Sequence, residues 1–173
     1  MSTYPESSTL TPEQEAFFRR TLHPLKFRLF LLTRLPSACF SGISIKDADA
    51  ERCVVTVPYK WFTKNPFRST YFACLGMAAE MSTGVLVMAH IQGRKPSVSM
   101  LVVGQEANYF KKATGRTRFQ CMDGGLIRKA VEQAVSTGEG VTVRTCSIGT
   151  NEAGEVIAEF FFTWSFKLRN TKL

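Results

Sequence analysis

The amino-acid sequence predicts an α+β fold in which an antiparallel β-sheet wraps a long central α-helix at about residues 69–90, behind a helical N-terminal extension. Three observations carry this. Residues 69–90 form the one segment that is apolar all round, and it is too long for a strand. The patterns run helix, two strands, buried helix, then strands that can pair as hairpins. In the last segment, 156–168, Ala158, Phe160, Phe162, Trp164, Phe166 and Leu168 share one face. An antiparallel sheet needs an apolar face covered, and the 69–90 helix is the element able to cover it.

The elements follow in order. Thr11-Pro12-Glu13-Gln14 starts a helix, with Thr as N-cap, Pro at the first position and Gln at the third. Phe17, Phe18 and Leu22 give it an apolar stripe. Pro24 breaks it, and a second helical stretch runs from Leu25 to about Leu35, where Pro36 stops it. Arg19, Arg20, Lys26, Arg28 and Arg34 are read as its wet face. Residues 39–47 and 51–58 read as strands joined by a turn at Asp47-Ala48-Asp49-Ala50. A loop containing Asn65-Pro66 leads into the long helix, which ends at Gln92-Gly93-Arg94-Lys95-Pro96. Residues 98–103, 105–113 and 116–122 are candidate strands bent near Gly104 and Gly115. Gly124-Gly125 opens a short amphipathic helix, and strands over 141–148 and 156–168 close the chain.

The 173 residues suit a flexible tail at 1–10 and a single domain at 11–173, whose helical extension is 11–36. With 45% hydrophobic and 21% charged residues, the composition is that of a soluble globular protein and excludes a disordered chain. Basic residues exceed acidic by 22 to 14, a net charge of +8. That favours anionic partners, whether nucleic acid, anionic lipid or a phosphate-bearing small molecule, without choosing among them. The five cysteines are scattered and none is in a C-x-x-C pair, so no disulfide framework is read. The N-terminus is polar, with no basic-then-apolar leader; the expectation is a cytoplasmic protein. Residues 25–40 carry Lys26, Arg28, Arg34 and Pro36 and do not span a membrane. Residues 69–91 are long enough, yet a carboxylate at mid-bilayer is costly, and Glu80 sits at their centre. They read as a core helix.

Glu80 is the one certain charge between Ser69 and Gln92. Its helical neighbours are Gly76, Met77, Ala79, Thr83 and Gly84. A carboxyl there loses hydration and its pKa rises, as a general base or acid near neutral pH requires. The equal alternative is a carboxylate satisfied by a neighbour in a structural role. The start of the same helix offers unpaired N–H groups and a positive dipole end that could hold an oxyanion, or it is an ordinary start capped by Ser69 or Thr70.

The string N-P-F-R-S-T-Y-F-A-C-L-G-M-A-A-E, Asn65 to Glu80, resembles the signature of hotdog-fold acyl-CoA thioesterases. That signature has an Asn, a Gly, a His-Gly-Gly at the start of the long helix, and an acid seven residues further on. The segment from Ala113-Thr114-Gly115-Arg116 through Lys167 is similar to the family's strand pattern, and the resemblance covers roughly residues 39–168. Within that superfamily the chain is similar to a poorly characterised subgroup described as a domain of unknown function. The resemblance implies that Glu80 is the catalytic acid, Phe72 or Ala73 the backbone oxyanion donor, and Asn65 a substrate or water contact supplied across a dimer. Arg68 stands at the position of the Gly, and Tyr71-Phe72-Ala73 at that of His-Gly-Gly. A Gly at the donor lets a carbonyl approach the backbone, and Phe72 is bulkier. The resemblance also implies that CoA, as part of the substrate and not as a cofactor, is held by basic residues. Candidates are Lys111, Lys112, Arg116 and Arg118, with Arg68 and Tyr71 lining the site; the alternative is a solvated basic edge.

Other chemistry has little support. His23 and His90 are the only histidines, and each reads as a capping or surface residue. No G-x-S-x-G and no metal-ligand spacing occur, so no metal is expected. Cys74 reads as a small core residue. The expected function is hydrolysis of an acyl-CoA or related thioester by a homodimer, or a tetramer, with sites at the subunit interface. The first alternative is a non-catalytic hotdog module that binds acyl chains or acyl-CoA. A third is a peripheral membrane or nucleic-acid-binding protein, although the aromatics sit at core-like positions and no nucleic-acid motif is visible.

Overall fold

A computed structural model describes residues 10–169 of the chain. The tail expected at 1–10 therefore lies, apart from Leu10, outside the described residues; Leu10 packs against the core. The helices are α1 (Pro12–Thr21), α2 (Pro24–Arg34), α3 (Pro36–Ser41), α4 (Phe72–Ile91) and α5 (Gly124–Thr137). The strands are β1 (Ser44–Ala48), β2 (Cys53–Val57), β3 (Val98–Tyr109), β4 (Thr117–Cys121), β5 (Val141–Thr150) and β6 (Val156–Leu168). All six form one antiparallel sheet in the order β1-β2-β4-β5-β6-β3, with α4 packed on it.

The N-terminal signals behave as written. Thr11 accepts from the Gln14 N–H, and the Gln14 side chain accepts from the Thr11 N–H, a reciprocal capping box ahead of α1. Pro24 opens α2. The strand expected from residue 39 is a correction: Pro36 both stops α2 and opens α3, which carries Cys39 and Ser41. Proline's fixed φ suits the first helical position as well as a break. Gly42, at φ 75°, ends α3, and β1 begins only at Ser44.

The helix expected from residue 69 starts at Phe72, with Tyr71 at the N-cap and no side-chain cap. Ser69 and Thr70 are not caps, because the chain before α4 is tied elsewhere. Thr70 donates to the Ala113 carbonyl from both its N–H and its hydroxyl. Helix α4 is long and apolar enough to cross a membrane by composition, but most of it is buried against the sheet, and it is the core helix.

The two strands expected at 98–103 and 105–113 are one strand, β3. It pairs along its length with β6, and Val103 is an extra residue bulged out between Val102↔Trp164 and Gly104↔Thr163. Met100 and Val102 before the bulge and Ala107 after it all pack against the core. One added residue in a period-two pattern reverses which parity faces inward, so a sequence break near Gly104 is a bulge rather than a turn. Nor do the strands after α4 all pair as consecutive hairpins: β4 joins β2 and β5, while β3 takes the far edge beside β6.

The core lies between α4, α5 and the inner sheet face. Phe160, Phe162, Trp164 and Phe166 of β6 are all buried, as their alternation predicts. The polar groups of α4 that face the sheet are satisfied. Ser82 and Ser147 share a hydroxyl hydrogen bond of 2.7 Å. The Trp164 indole N–H donates to Thr83 Oγ1 at 3.1 Å, and that hydroxyl donates to the Glu80 carbonyl at 2.9 Å.

Candidate active site

Glu80 lies midway along α4, in the wall of a cavity of about 570 Å³. Opposite it are Phe27, Phe30, Arg34 and Leu35, from α2 and the residue after it; Met81, Val85, Met88 and Met100 complete the apolar lining. Among the described residues no hydrogen bond or ion pair reaches the Glu80 carboxylate. Burial raises its pKa above the ordinary carboxylate value. Arg34 shares the cavity without pairing with it. Gly84 makes room for the acid: a Cβ there would stand 3.0 Å from Glu80 Oε1 and 3.4 Å from the Trp164 ring. The carboxylate is thus aimed toward Gly84, along the C-terminal half of α4.

A second cavity, of about 340 Å³, shares Phe27, Phe30, Val85 and Met88 with the first and extends to Phe17, Thr21, Arg20 and Lys26. Together they form an apolar groove under α1 and α2, running away from Glu80. Sequence reasoning missed this wall; Arg34, read as part of a wet face, is exposed as expected and also borders the cavity. The signal was present, since Phe27 and Leu31 stand at i and i+4 and define an inward face of α2.

The other expected site residues gather at the start of α4, around a separate cavity of about 600 Å³. It is lined by Asn65, Tyr71, Phe72, Leu75, Tyr109, Lys111 and Lys112, among others. The Phe72 and Ala73 N–H groups lie in the first turn of α4 and have no acceptor among the described residues. Phe72 is exposed and packs edge-on against Tyr71. The Asn65 side chain is occupied within its own turn: Oδ1 accepts from the Phe67 and Ser69 N–H groups, and Nδ2 donates to Ser69 Oγ at 3.1 Å. Arg68 sits in that turn at φ 58°, a conformation glycine adopts freely. It is exposed and does not line the cavity.

The basic residues do not converge on Glu80. Lys111 pairs with Glu155, which holds the Glu155 carboxyl below its usual range. Arg116 is exposed between β3 and β4, and Arg118 is exposed on β4. The expectation that His90 is a capping or surface residue is corrected, because it is buried. Its Nε2 donates to the Ala50 carbonyl at 2.8 Å, leaving Nδ1 to accept from Gln14. Desolvation lowers its pKa, consistent with a neutral ring that ties α1 and the β1–β2 turn to α4. All five cysteines are free. No cluster of metal-ligating side chains occurs among the described residues.

Comparisons with solved structures identify the architecture. A protein of unknown function from Pseudomonas aeruginosa, named a probable thioesterase, is 19% identical and superposes with a TM-score of 0.71 over 87% of this chain and 99% of its own. One of unknown function from Chlorobaculum tepidum is 18% identical, with a TM-score of 0.71 over 86% and 99%. A thioesterase from Haemophilus influenzae is 13% identical, with a TM-score of 0.61 over 83% and 91%. These likenesses show the hotdog fold. No curated protein matches the chain. The model of a family described as a domain of unknown function, DUF4442, matches residues 26–164, and the chain belongs to that family.

Proposed function

We propose that this protein is a thioester hydrolase acting on acyl-CoA or a related acyl thioester, with Glu80 as general base. The observation that carries the proposal is a desolvated carboxylate with no hydrogen-bond or ion-pair partner among the described residues, set in the wall of an apolar groove. A structural acid would be hydrogen-bonded. This one is left free to take a proton, beside a groove that suits an acyl chain.

The chemistry needs few groups. Glu80 takes a proton from water as the water oxygen bonds to the thioester carbonyl carbon. The developing oxyanion is held by the Phe72 and Ala73 N–H groups. The C–S bond then breaks to release a thiolate, whose low pKa asks for little acid assistance. The proton on Glu80 is returned to solvent or to the thiolate.

Glu80 lies seven and eight residues beyond those donors, about 10–12 Å along the helix axis. Its side chain points the other way, and the donors face a different cavity. One carbonyl cannot touch both within a single chain. The reading therefore includes a homodimer, in which the helix start of a second copy approaches Glu80. The unpaired outer edge of β3, with exposed Leu101 and Val103, and the mostly buried stripe Ala73, Met77, Glu80 that reaches the surface of α4 are the surfaces available for it. Lys112, Arg116 and Arg118 have no ion pair among the described residues and are the cations proposed to meet CoA phosphates; Lys111 already has Glu155.

The test is hydrolysis of acyl-CoA over short, medium and long chains by the purified protein and by Glu80→Gln. The expected loss in kcat for the variant is roughly 10²-fold or more. The wild-type rate should rise with pH through an inflection above the ordinary carboxylate range. Full activity in Glu80→Gln would remove Glu80 from the chemistry. If the wild type binds acyl-CoA without hydrolysing it, the exposed Tyr71–Phe72 pair over the donors becomes the reason, and the chain is an acyl-binding module.

A further inference from the structure

We infer that the outer face of α2 docks onto the surface of an anionic lipid bilayer. Helix α2 is apolar on two sides. Phe27 and Leu31 face inward, and Phe27 and Phe30 wall the groove. Leu25, Leu29 and Leu32, at i, i+4 and i+7, face outward and are 76%, 62% and 50% exposed. At 100° per residue these three leucines occupy one narrow stripe, with Lys26 along one margin and Arg28 along the other. A soluble helix places polar residues on that stripe. An interfacial helix places leucines there and basic residues beside them.

The charge around the stripe is one-sided. From Ala16 to Lys46 the sequence holds Arg19, Arg20, Lys26, Arg28, Arg34 and Lys46 and no acid. None of these six forms an ion pair among the described residues. Helix α3 continues from α2 and packs against both it and the turn Trp61–Thr63. There Phe40, Phe62 and Trp61 form an exposed aromatic group, with ring centroids 6.1 and 6.4 Å apart. Lys60, Lys64 and Arg68 lie beside it in sequence, and no acid occurs between Cys53 and Ala79. The Trp61 indole with its polar N–H, the exposed phenylalanines and leucines, and cations unpaired among the described residues match the apolar boundary and negative headgroups of a bilayer.

A second copy is a poor occupant. Helix α2 carries Lys26, Arg28 and Arg34 and no carboxylate, so self-docking would bring like charges together. A bilayer supplies both the anionic charge and the apolar depth that the stripe lacks. Docking there would leave α2 as the one layer between the groove and the lipid, whether or not the chain hydrolyses thioesters.

Co-sedimentation tests this with the full chain and two vesicle preparations: phosphatidylcholine alone, and phosphatidylcholine with added phosphatidylglycerol. The protein should sediment with the anionic vesicles, less so as salt is raised. The triple variant Leu25→Ser, Leu29→Ser, Leu32→Ser should partition roughly tenfold or more weakly. Its three side chains are exposed and line none of the cavities, so its circular dichroism and melting temperature should match the wild type. Arg28→Gln should weaken binding by about fivefold, the worth of one cation at such a surface. Absence of sedimentation with anionic vesicles would overturn the inference. So would unchanged binding of the triple variant, which would mean adsorption by charge alone. A wild type that ignores vesicles but forms a soluble oligomer that the triple variant dissolves would overturn it in favour of self-association.

Discussion

The two covers over helix α4 differ in kind. On the sheet side the contact is dense and stitched: Phe160, Phe162, Trp164 and Phe166 are buried, and Ser82–Ser147 and Thr83–Trp164 join polar groups across the interface. On the side of α1 and α2 the contact is open, with cavities of about 570 and 340 Å³ walled by phenylalanines and methionines. Glu80 stands between them. Its backbone is anchored on the tight side through Thr83, and its carboxylate points into the loose side. The tight cover fixes where the acid is, and the loose one leaves room for what it meets. Methionine's unbranched thioether suits a wall that must fit more than one shape.

Four measurements would break or sharpen this contrast. The largest effect is expected on the tight side: Phe160→Ala should cost about 3–5 kcal/mol in denaturant unfolding, because a buried ring leaves a cavity that a sheet cannot close. A smaller loss, about 1 kcal/mol, is expected for Ser147→Ala, which removes one buried hydrogen bond and leaves Ser82 its bond to the Ala79 carbonyl. On the loose side Phe30→Ala should cost about 0.5 kcal/mol or less, while raising KM for long acyl chains more than for short ones. If Phe30→Ala proved as costly as Phe160→Ala, the two covers would be equivalent and the contrast false.

The smallest effect concerns Glu80 itself. Its folded-state pKa is raised by burial, so the carboxyl favours the folded state least when ionised. Below the ordinary value near 4.5 it is protonated both folded and unfolded and contributes no penalty. As pH rises through the folded pKa the penalty appears in full. Glu80→Gln should therefore melt slightly above the wild type at pH 8, with the difference closing toward pH 4.5. A variant that melts lower at pH 8 would mean that the carboxylate has a stabilising partner.

The tight side was the legible one. Alternation in 156–168 names the buried face of β6 residue by residue, and the all-apolar stretch around Glu80 names the core helix, because burial on a sheet imposes a short period on the sequence. The loose side was not legible. Phe27 and Leu31 show that α2 has an inward face, but nothing in a single sequence says which surface that face meets. Arg34 was placed with the solvent, where it is, but that it also borders a cavity was not foreseen. The start of α4 was half legible: Arg68 was marked as standing at a glycine position, and its φ of 58° explains why that position favours glycine. That Asn65 bonds to its own turn is a matter of side-chain direction, which spacing does not carry. Helix α3 was misread because a proline that ends one helix can equally begin the next.

The bulge at Val103 decides where the length of this chain can change. On a strand with one face against the core, removing a residue turns every later side chain over. The 102–104 step is the exception, since Val103 is already the surplus member of its pairing with Thr163 and Trp164. Deleting Val103 would restore a regular ladder, keeping Met100 and Val102 inward before it and Ala107 inward after it. The same deletion at Leu101 would leave only a short stretch to be absorbed before the bulge and would turn Val98 and Met100 outward. Related sequences of different length are thus expected to gain or lose a residue at this step, and what would then vary is the curvature of the outer edge of the sheet.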